Sequence, residues 1–182
     1  FQVKLRHMRV SFITVDEAHC ISQWGYDFRP AYLEIGSLRK MKPDVPVLAL
    51  TATATPQVID DIQEKLAFRS KNVFRMSFER KNLSYVVRKA ENKPAELVHI
   101  LGRVAGAAIV YVRSRRRCRE IAELLEGNGI DSTFYHAGLE HSVRDERQKA
   151  WQDDKKRVIV ATNAFGMGID KPDVRLVIHF DC

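Results

Sequence analysis

Ala107-Ala108-Ile109-Val110-Tyr111-Val112 runs through Arg113 and Ser114 into Arg115-Arg116-Arg117-Cys118-Arg119-Glu120-Ile121-Ala122-Glu123-Leu124-Leu125-Glu126. The opening run is apolar without alternation, the pattern of a strand buried on both faces. Ser114 is placed to cap a helix, and Cys118, Ile121, Ala122, Leu124 and Leu125 then recur at helical spacing. The glycines at 127 and 129 end that helix. A buried strand feeding a capped amphipathic helix is the repeating unit of a parallel α/β sheet.

The same rhythm extends in both directions. Downstream, the residue types predict a short strand over 132–135, a helix over 142–151, a strand over 157–161, a glycine-rich loop and a strand over 174–180. Just upstream they predict a strand over 83–87 and a helix over 94–104, with Leu97, Ile100, Leu101 and Val104 on one face. Further upstream lie predicted strands at 10–15 and 47–50, a helix over 55–66 that Thr55 caps and Pro56 opens, and a third strand at 73–77. Phe78-Glu79-Arg80-Lys81-Asn82 is the polar stretch that reads as a linker. The fold class is therefore α/β: two units of parallel sheet with flanking helices, without short-period repeats or low-complexity sequence.

Composition agrees and narrows the function. The chain of 182 residues is 45% hydrophobic and 29% charged, which suits a packed core and excludes long disorder. No apolar run reaches the ~18 residues of a membrane span, so the expectation is no membrane partner. Thirty basic against 23 acidic residues give a net charge of +7, spread over both halves, which makes a polyanion a plausible partner. Cys20, Cys118 and Cys182 are far apart and form neither a zinc spacing nor a disulfide frame, as in a reducing compartment.

Several segments fall where such sheets collect ligands, at the carboxyl ends of strands. Asp16-Glu17-Ala18-His19 follows an apolar strand, and paired carboxylates there suit Mg²⁺ and a base for water, as in a Walker B site; the plainer reading is a helix start. Trp24, Tyr26 and Phe28 alternate, but Gly25, Asp27 and Pro30 disfavour a strand; core face and base-stacking loop both stand. Thr51-Ala52-Thr53-Ala54-Thr55 either links ligands or simply caps. Arg113-Ser114-Arg115-Arg116-Arg117 either grips phosphates or opens a solvated helix, although positive charge there opposes the helix dipole. Thr162-Asn163-Ala164-Phe165-Gly166-Met167-Gly168-Ile169-Asp170 is either a phosphate-approaching loop or a tight surface turn.

Taken in order, these segments resemble the RecQ family of superfamily-2 DNA helicases. DEAHCISQWGYDFRP (16–30) resembles motif II with the family's aromatic-rich loop, TATAT (51–55) motif III, IVYVRSRRRCREIAELL (109–125) motif IV, and YHAGL (135–139) with VIVATNAFGMGIDKPDVRLVIHFD (158–181) the following signature and motif V. The likeness covers nearly the whole chain, and DEAD-box RNA helicases, which lack the aromatic loop, fit less well. It implies RecA-like lobes: residues 1–78 as the C-terminal part of the first and 79–182 as the second, truncated before motif VI. It implies that Asp16 holds Mg²⁺, Glu17 orients or activates water, and His19 relays between ATP and DNA. Gln23, Trp24, Phe28, Arg29, Thr51 and Thr53 would couple DNA to hydrolysis. Arg113, Ser114 and Thr162 would bind DNA, and Asp170 would face the nucleotide. Tyr26 stands where many relatives carry His.

The implied function is an ATP-dependent 3′–5′ DNA helicase in repair or recombination, acting on single-stranded and duplex DNA with ATP and Mg²⁺. The alternatives are an RNA-directed superfamily-2 helicase and a non-catalytic nucleic-acid-binding module. The chain contains no GxxxxGK[ST], and Phe1-Gln2-Val3-Lys4 does not read as a natural start or a signal peptide. The resemblance therefore makes it an internal piece, inactive by itself, with the phosphate loop before it and motif VI and a zinc-binding region after it. An incomplete first lobe would leave sheet edges open to pairing with another chain. The expected location is a bacterial cytoplasm, at the nucleoid, or a nucleus in a eukaryote.

Overall fold

The computed structural model describes residues 2–25, 27–77, 79–166 and 168–181. Tyr26, the linker's Phe78, Met167 of the glycine-rich loop and Cys182 lie outside the described residues. The chain divides into two compact units, Phe1–Lys81 and Asn82–Cys182.

The first unit is built on two short parallel strands, β1 (Ile13–Val15) and β2 (Val47–Ala49), with Val15 opposite Ala49. Their crossover carries 3-10 turns at Ala18–Ile21 and Pro30–Glu34 and helix α2 (Ile35–Met41); α1 (Gln2–His7) precedes β1. Helix α3 (Pro56–Lys65) follows β2, and Thr55 Oγ1 accepts the Val58 amide at 3.3 Å, so cap and opening proline act as predicted. Val15, Ala18, Ile21, Val58, Ile62 and Leu66 form the core of this unit.

The second unit is a four-stranded parallel sheet in the order β4-β5-β3-β6, with β3 at Ala107–Tyr111, β4 at Ser132–Tyr135, β5 at Val158–Ala161 and β6 at Val174–His179. Helices α4 (Lys93–Arg103), α5 (Arg115–Gly127) and α6 (His141–Gln152) alternate with the strands. Strand β5 shows why its run is apolar throughout. Val158 and Val160 pack with Leu97, Leu101, Ile121 and Leu125 of α4 and α5, while Ile159 and Ala161 pack with Trp151 of α6. Both faces are covered, so no position can be polar. Trp151 is fully buried and satisfies its ring N–H on the Ala108 carbonyl at 3.2 Å.

Three predicted strands are corrected. Only residues 13–15 of the 10–15 run form strand, and 73–77 and 83–87 form none. Phe74 is 98% and Val87 100% exposed. Their apolar pattern is that of strands, but a strand exists only through backbone pairing, and no described strand lies beside them. Helices α1 and α2 were not predicted: the bonds at the ends of α2 are to backbone, and its N-cap Glu34 makes no side-chain capping bond. Among the described residues no helix is long and apolar enough to cross a membrane.

Candidate functional site

In the first unit the site grows from the end of β1. Asp16 Oδ1 accepts the Glu17 amide at 2.8 Å, and Glu17 takes left-handed backbone angles, φ 48° and ψ 41°. That conformation is uncommon outside glycine and turns the chain sharply. It leaves Asp16 exposed at the strand end and sends Ala18, His19, Cys20 and Ile21 inward as a buried turn. The Ala18 amide bonds the Leu50 carbonyl at 2.9 Å, tying this turn to the end of β2.

His19 is the junction. It is 3% exposed, and its Nδ1 lies 2.9 Å from Thr51 Oγ1 and 3.3 Å from Glu17 Oε2. The Thr51 hydroxyl has one proton and places it on the Thr53 carbonyl at 3.2 Å. Thr51 therefore accepts, and His19 Nδ1–H donates, with the Glu17 carboxylate favouring the same tautomer. The ring thus joins the DEAH and TATAT segments across 32 residues of chain. Its other nitrogen, Nε2, faces Cys20 Sγ at 3.7 Å.

The aromatic segment is a folded loop and not a strand. Trp24 is 73% exposed, so it is not part of the core; Gln23 is exposed and Phe28 half-buried. The Gly25 amide bonds the Ser22 carbonyl at 3.1 Å and the Arg29 amide bonds the Cys20 carbonyl at 2.9 Å, closing the loop. A Cβ on Gly25 would stand 2.7 Å from the His19 carbonyl oxygen, so only glycine fits there. Arg29 Nη2 pairs with Asp27 Oδ2 at 2.6 Å. The Arg29 hydrogen bond holds the Asp27 carboxyl below the usual carboxylate range. Burial pushes the Cys20 thiol above its ordinary value.

The second unit presents its own edge. Tyr111, Tyr135, Ala161 and His179 are aligned by register at the strand ends. Arg113 and Thr162 leave neighbouring strands β3 and β5 there, so the structure brings them to one edge. Arg113 is exposed, and its amide donates to Asp181 Oδ2 at 3.1 Å. Ser114 accepts the Arg117 amide at 3.2 Å as the cap of α5. Arg116 pairs with Glu120 at 2.6 Å on the exposed side of α5. Thr162 is held by its amide on the Tyr135 carbonyl at 3.3 Å. Asp170 is exposed in the loop after β5, where Gly166 and Gly168 take positive φ.

Sequence reasoning missed three participants. Tyr111 donates its hydroxyl to the Phe165 carbonyl at 3.0 Å and braces the glycine-rich loop. His136 is buried, with Nδ1 unpartnered among the described residues; burial, then the positive charge of Arg115, Arg147 and Arg119, holds it below the usual histidine range. Asp27, the third, comes within 3.7 Å of Cys20 only after folding. All three sit inside quoted stretches, Tyr111 in 109–125, His136 in 135–139 and Asp27 in 16–30, so the motifs carried the signal although the roles were not read from them.

The comparisons with known proteins decide the family. Residues 92–182 match the family described as helicase conserved C-terminal domain, and residues 2–62 match DEAD/DEAH box helicase. The chain is 46% identical over 179 residues to the ATP-dependent DNA helicase RecQ of Pasteurella multocida, covering 97% of this chain and 28% of that protein. The chain belongs to the helicases, and its homologues are RecQ helicases. A second relative, the ATP-dependent helicase SGS1 of Saccharomyces cerevisiae, is 45% identical over 94% of this chain and 12% of its own length. The chain thus spans about a third or less of the curated relatives it matches. In three dimensions it is similar to S. cerevisiae Dbp5 bound to RNA and ADP BeF3, with a TM-score of 0.73 at 19% identity, over 98% of this chain and 47% of that one. At that identity the likeness establishes the RecA-like helicase fold alone.

Proposed function

We propose that this chain is part of an ATP-dependent, RecQ-type DNA helicase that moves 3′ to 5′ in repair or recombination. In this reading residues 1–78 are the rear of the first RecA-like lobe and 79–182 most of the second. The observation that carries it is the His19–Thr51 bond of 2.9 Å, which ties the carboxylate pair at one strand end to the threonine segment at the next. A histidine that bonds both the hydrolytic turn and a neighbouring strand end is built to transmit a shift between them.

Asp16 fits a hard cation: it is an exposed carboxylate at a strand's carboxyl end, with oxygen donors of the kind Mg²⁺ takes alongside retained water. Bound Mg²⁺ would supply charge neutralisation on the ATP phosphates. Glu17, half-exposed beside it, orients the attacking water and accepts its proton. Gln23, Trp24, Phe28 and Arg29 take up single-stranded DNA, with Trp24 offering a base-stacking face. Thr51 and Thr53 pass that contact to His19. Arg113, Ser114 and Thr162 approach backbone phosphates at the second unit's edge, and Asp170 meets the nucleotide. Among the described residues β1 pairs on one side only, and its other side is where a further strand, of this protein or of a second chain, would join. The zinc-binding region that the resemblance implies would lie outside these residues, and the site of action is the nucleoid or nucleus.

The experiment is ATP turnover by the full-length protein, with DNA or RNA of matched sequence. Glu17→Gln should retain nucleotide binding and lose hydrolysis by orders of magnitude, and DNA alone should stimulate the wild type. Equal stimulation by RNA would move the reading to an RNA-directed helicase, and no turnover under any condition to a binding module.

A further inference from the structure

His19, Cys20 and Asp27 each offer a donor atom to one small volume, with the three atoms within 4.8 Å of one another. Cys20 Sγ stands 3.7 Å from His19 Nε2 and 3.7 Å from Asp27 Oδ2. Tetrahedral Zn²⁺, with bonds of about 2.0–2.3 Å to N, O and S, sets neighbouring donors roughly 3.3–3.7 Å apart. Cys20 already stands at that spacing from both partners, and the third pair, His19 and Asp27, lies within 4.8 Å and has further to close.

The surroundings complete the case. His19 keeps its proton on Nδ1 through the bond to Thr51, with Glu17 beside it, so Nε2 is the nitrogen that presents a lone pair toward Cys20. An imidazole ligand whose far N–H is held by a hydroxyl or carboxylate is the usual arrangement of a metal-binding histidine. His19 and Cys20 are buried, whereas Asp27 reaches the surface and leaves an entry path. The loop between Cys20 and Asp27 is drawn back on itself by the Gly25 and Arg29 amides, which holds the two donors together.

We propose that His19 Nε2, Cys20 Sγ and Asp27 Oδ2 form a binding site for a borderline-soft divalent cation of the Zn²⁺ class, with water in the fourth position. Thiolate and imidazole select such an ion over Mg²⁺, so this site is chemically distinct from the oxygen donors of Asp16. Binding converts the Cys20 thiol to thiolate and releases its proton to solvent. Arg29, 2.6 Å from Asp27 Oδ2, is the built-in competitor for the carboxylate. A bound ion would pin the loop that carries Trp24 to the buried turn. That this would slow DNA-stimulated hydrolysis rests on the function proposed above; the binding itself does not.

The test titrates the 182-residue chain with Co²⁺ as a spectroscopic stand-in, followed by Zn²⁺ displacement. One equivalent should bind with a thiolate-to-cobalt charge-transfer band that Zn²⁺ removes. Cys20→Ser should abolish the band, and Thr51→Ala, by removing the hydroxyl that holds the ring's Nδ1–H, should weaken affinity about 10–100-fold. Arg29→Ala should tighten binding severalfold, an opposite sign that unfolding cannot mimic, and Asp16→Asn should leave it unchanged. The absence of a band, a band that survives Cys20→Ser (placing the thiolate at Cys118 or Cys182), or weaker binding in Arg29→Ala would each overturn the proposal. None of these outcomes bears on the Glu17→Gln result, so the two readings fail separately.

Discussion

The two strand-end edges are held by different forces. In the second unit Arg113 and Thr162 ride on a four-stranded parallel sheet covered by helices on both faces, and backbone register alone brings them together. In the first unit the sheet has two strands of three residues, and the loops beyond them are held by side chains: His19 on Thr51, Arg29 on Asp27, and Gly25 fitted against the His19 carbonyl. A register-held edge tolerates changes at its surface and fails only when its core fails. A side-chain-held edge can be altered by one polar substitution while the core stays intact. The second arrangement suits a segment that must move between states.

The sharpest break of this contrast lies in the second unit's core. Trp151→Ala removes a fully buried ring packed on Ile159, Ala161 and Phe165. It should cost about 3–5 kcal/mol of that unit's stability. Denaturant melts should show a large loss, and the surviving folded fraction should keep normal strand-end function. In the first unit, Thr51→Val keeps the volume and removes the hydroxyl that accepts the His19 N–H, leaving that N–H to Glu17 at 3.3 Å. The cost should be about 0.5–1.5 kcal/mol, with DNA-stimulated hydrolysis in the full-length protein falling further than stability explains. Melting and turnover measured on the same preparation check both halves of that statement.

A smaller effect distinguishes the units by pH. His136 is buried among arginines and titrates below the ordinary histidine value of 6.5. As pH falls below about 6.5, the unfolded chain takes up a proton that the folded one still refuses, so the second unit loses stability until the folded-state value is passed. His136→Gln should flatten that slope in denaturant melts at stepped pH. An unchanged slope would assign it to other groups.

What the sequence disclosed follows the same division. Register-held structure is local and periodic, so the apolar run 158–161, the Ser114 cap and the Thr55–Pro56 start were legible from residue types alone. Pairing is not local. The stretches 73–77 and 83–87 carry strand composition, but nothing in composition says whether a partner lies alongside. The DEAH, aromatic and TATAT segments were found as motifs, yet the bond between His19 and Thr51 and the approach of Asp27 to Cys20 are products of the fold. The exposure of Trp24 removes it from the core, one of the two readings that the alternating aromatics had left open.

The most direct test of the account is DNA-stimulated ATP turnover by the full-length protein carrying Trp24→Ala, read beside its DNA affinity and melting temperature. Trp24 is 73% exposed, so melting should not change. Loss of one stacked base should weaken DNA binding by about 1–3 kcal/mol, and stimulation at saturating DNA should fall well beyond that. Normal stimulation at saturating DNA, with or without a change in melting, would contradict the claim that this loop couples DNA to hydrolysis.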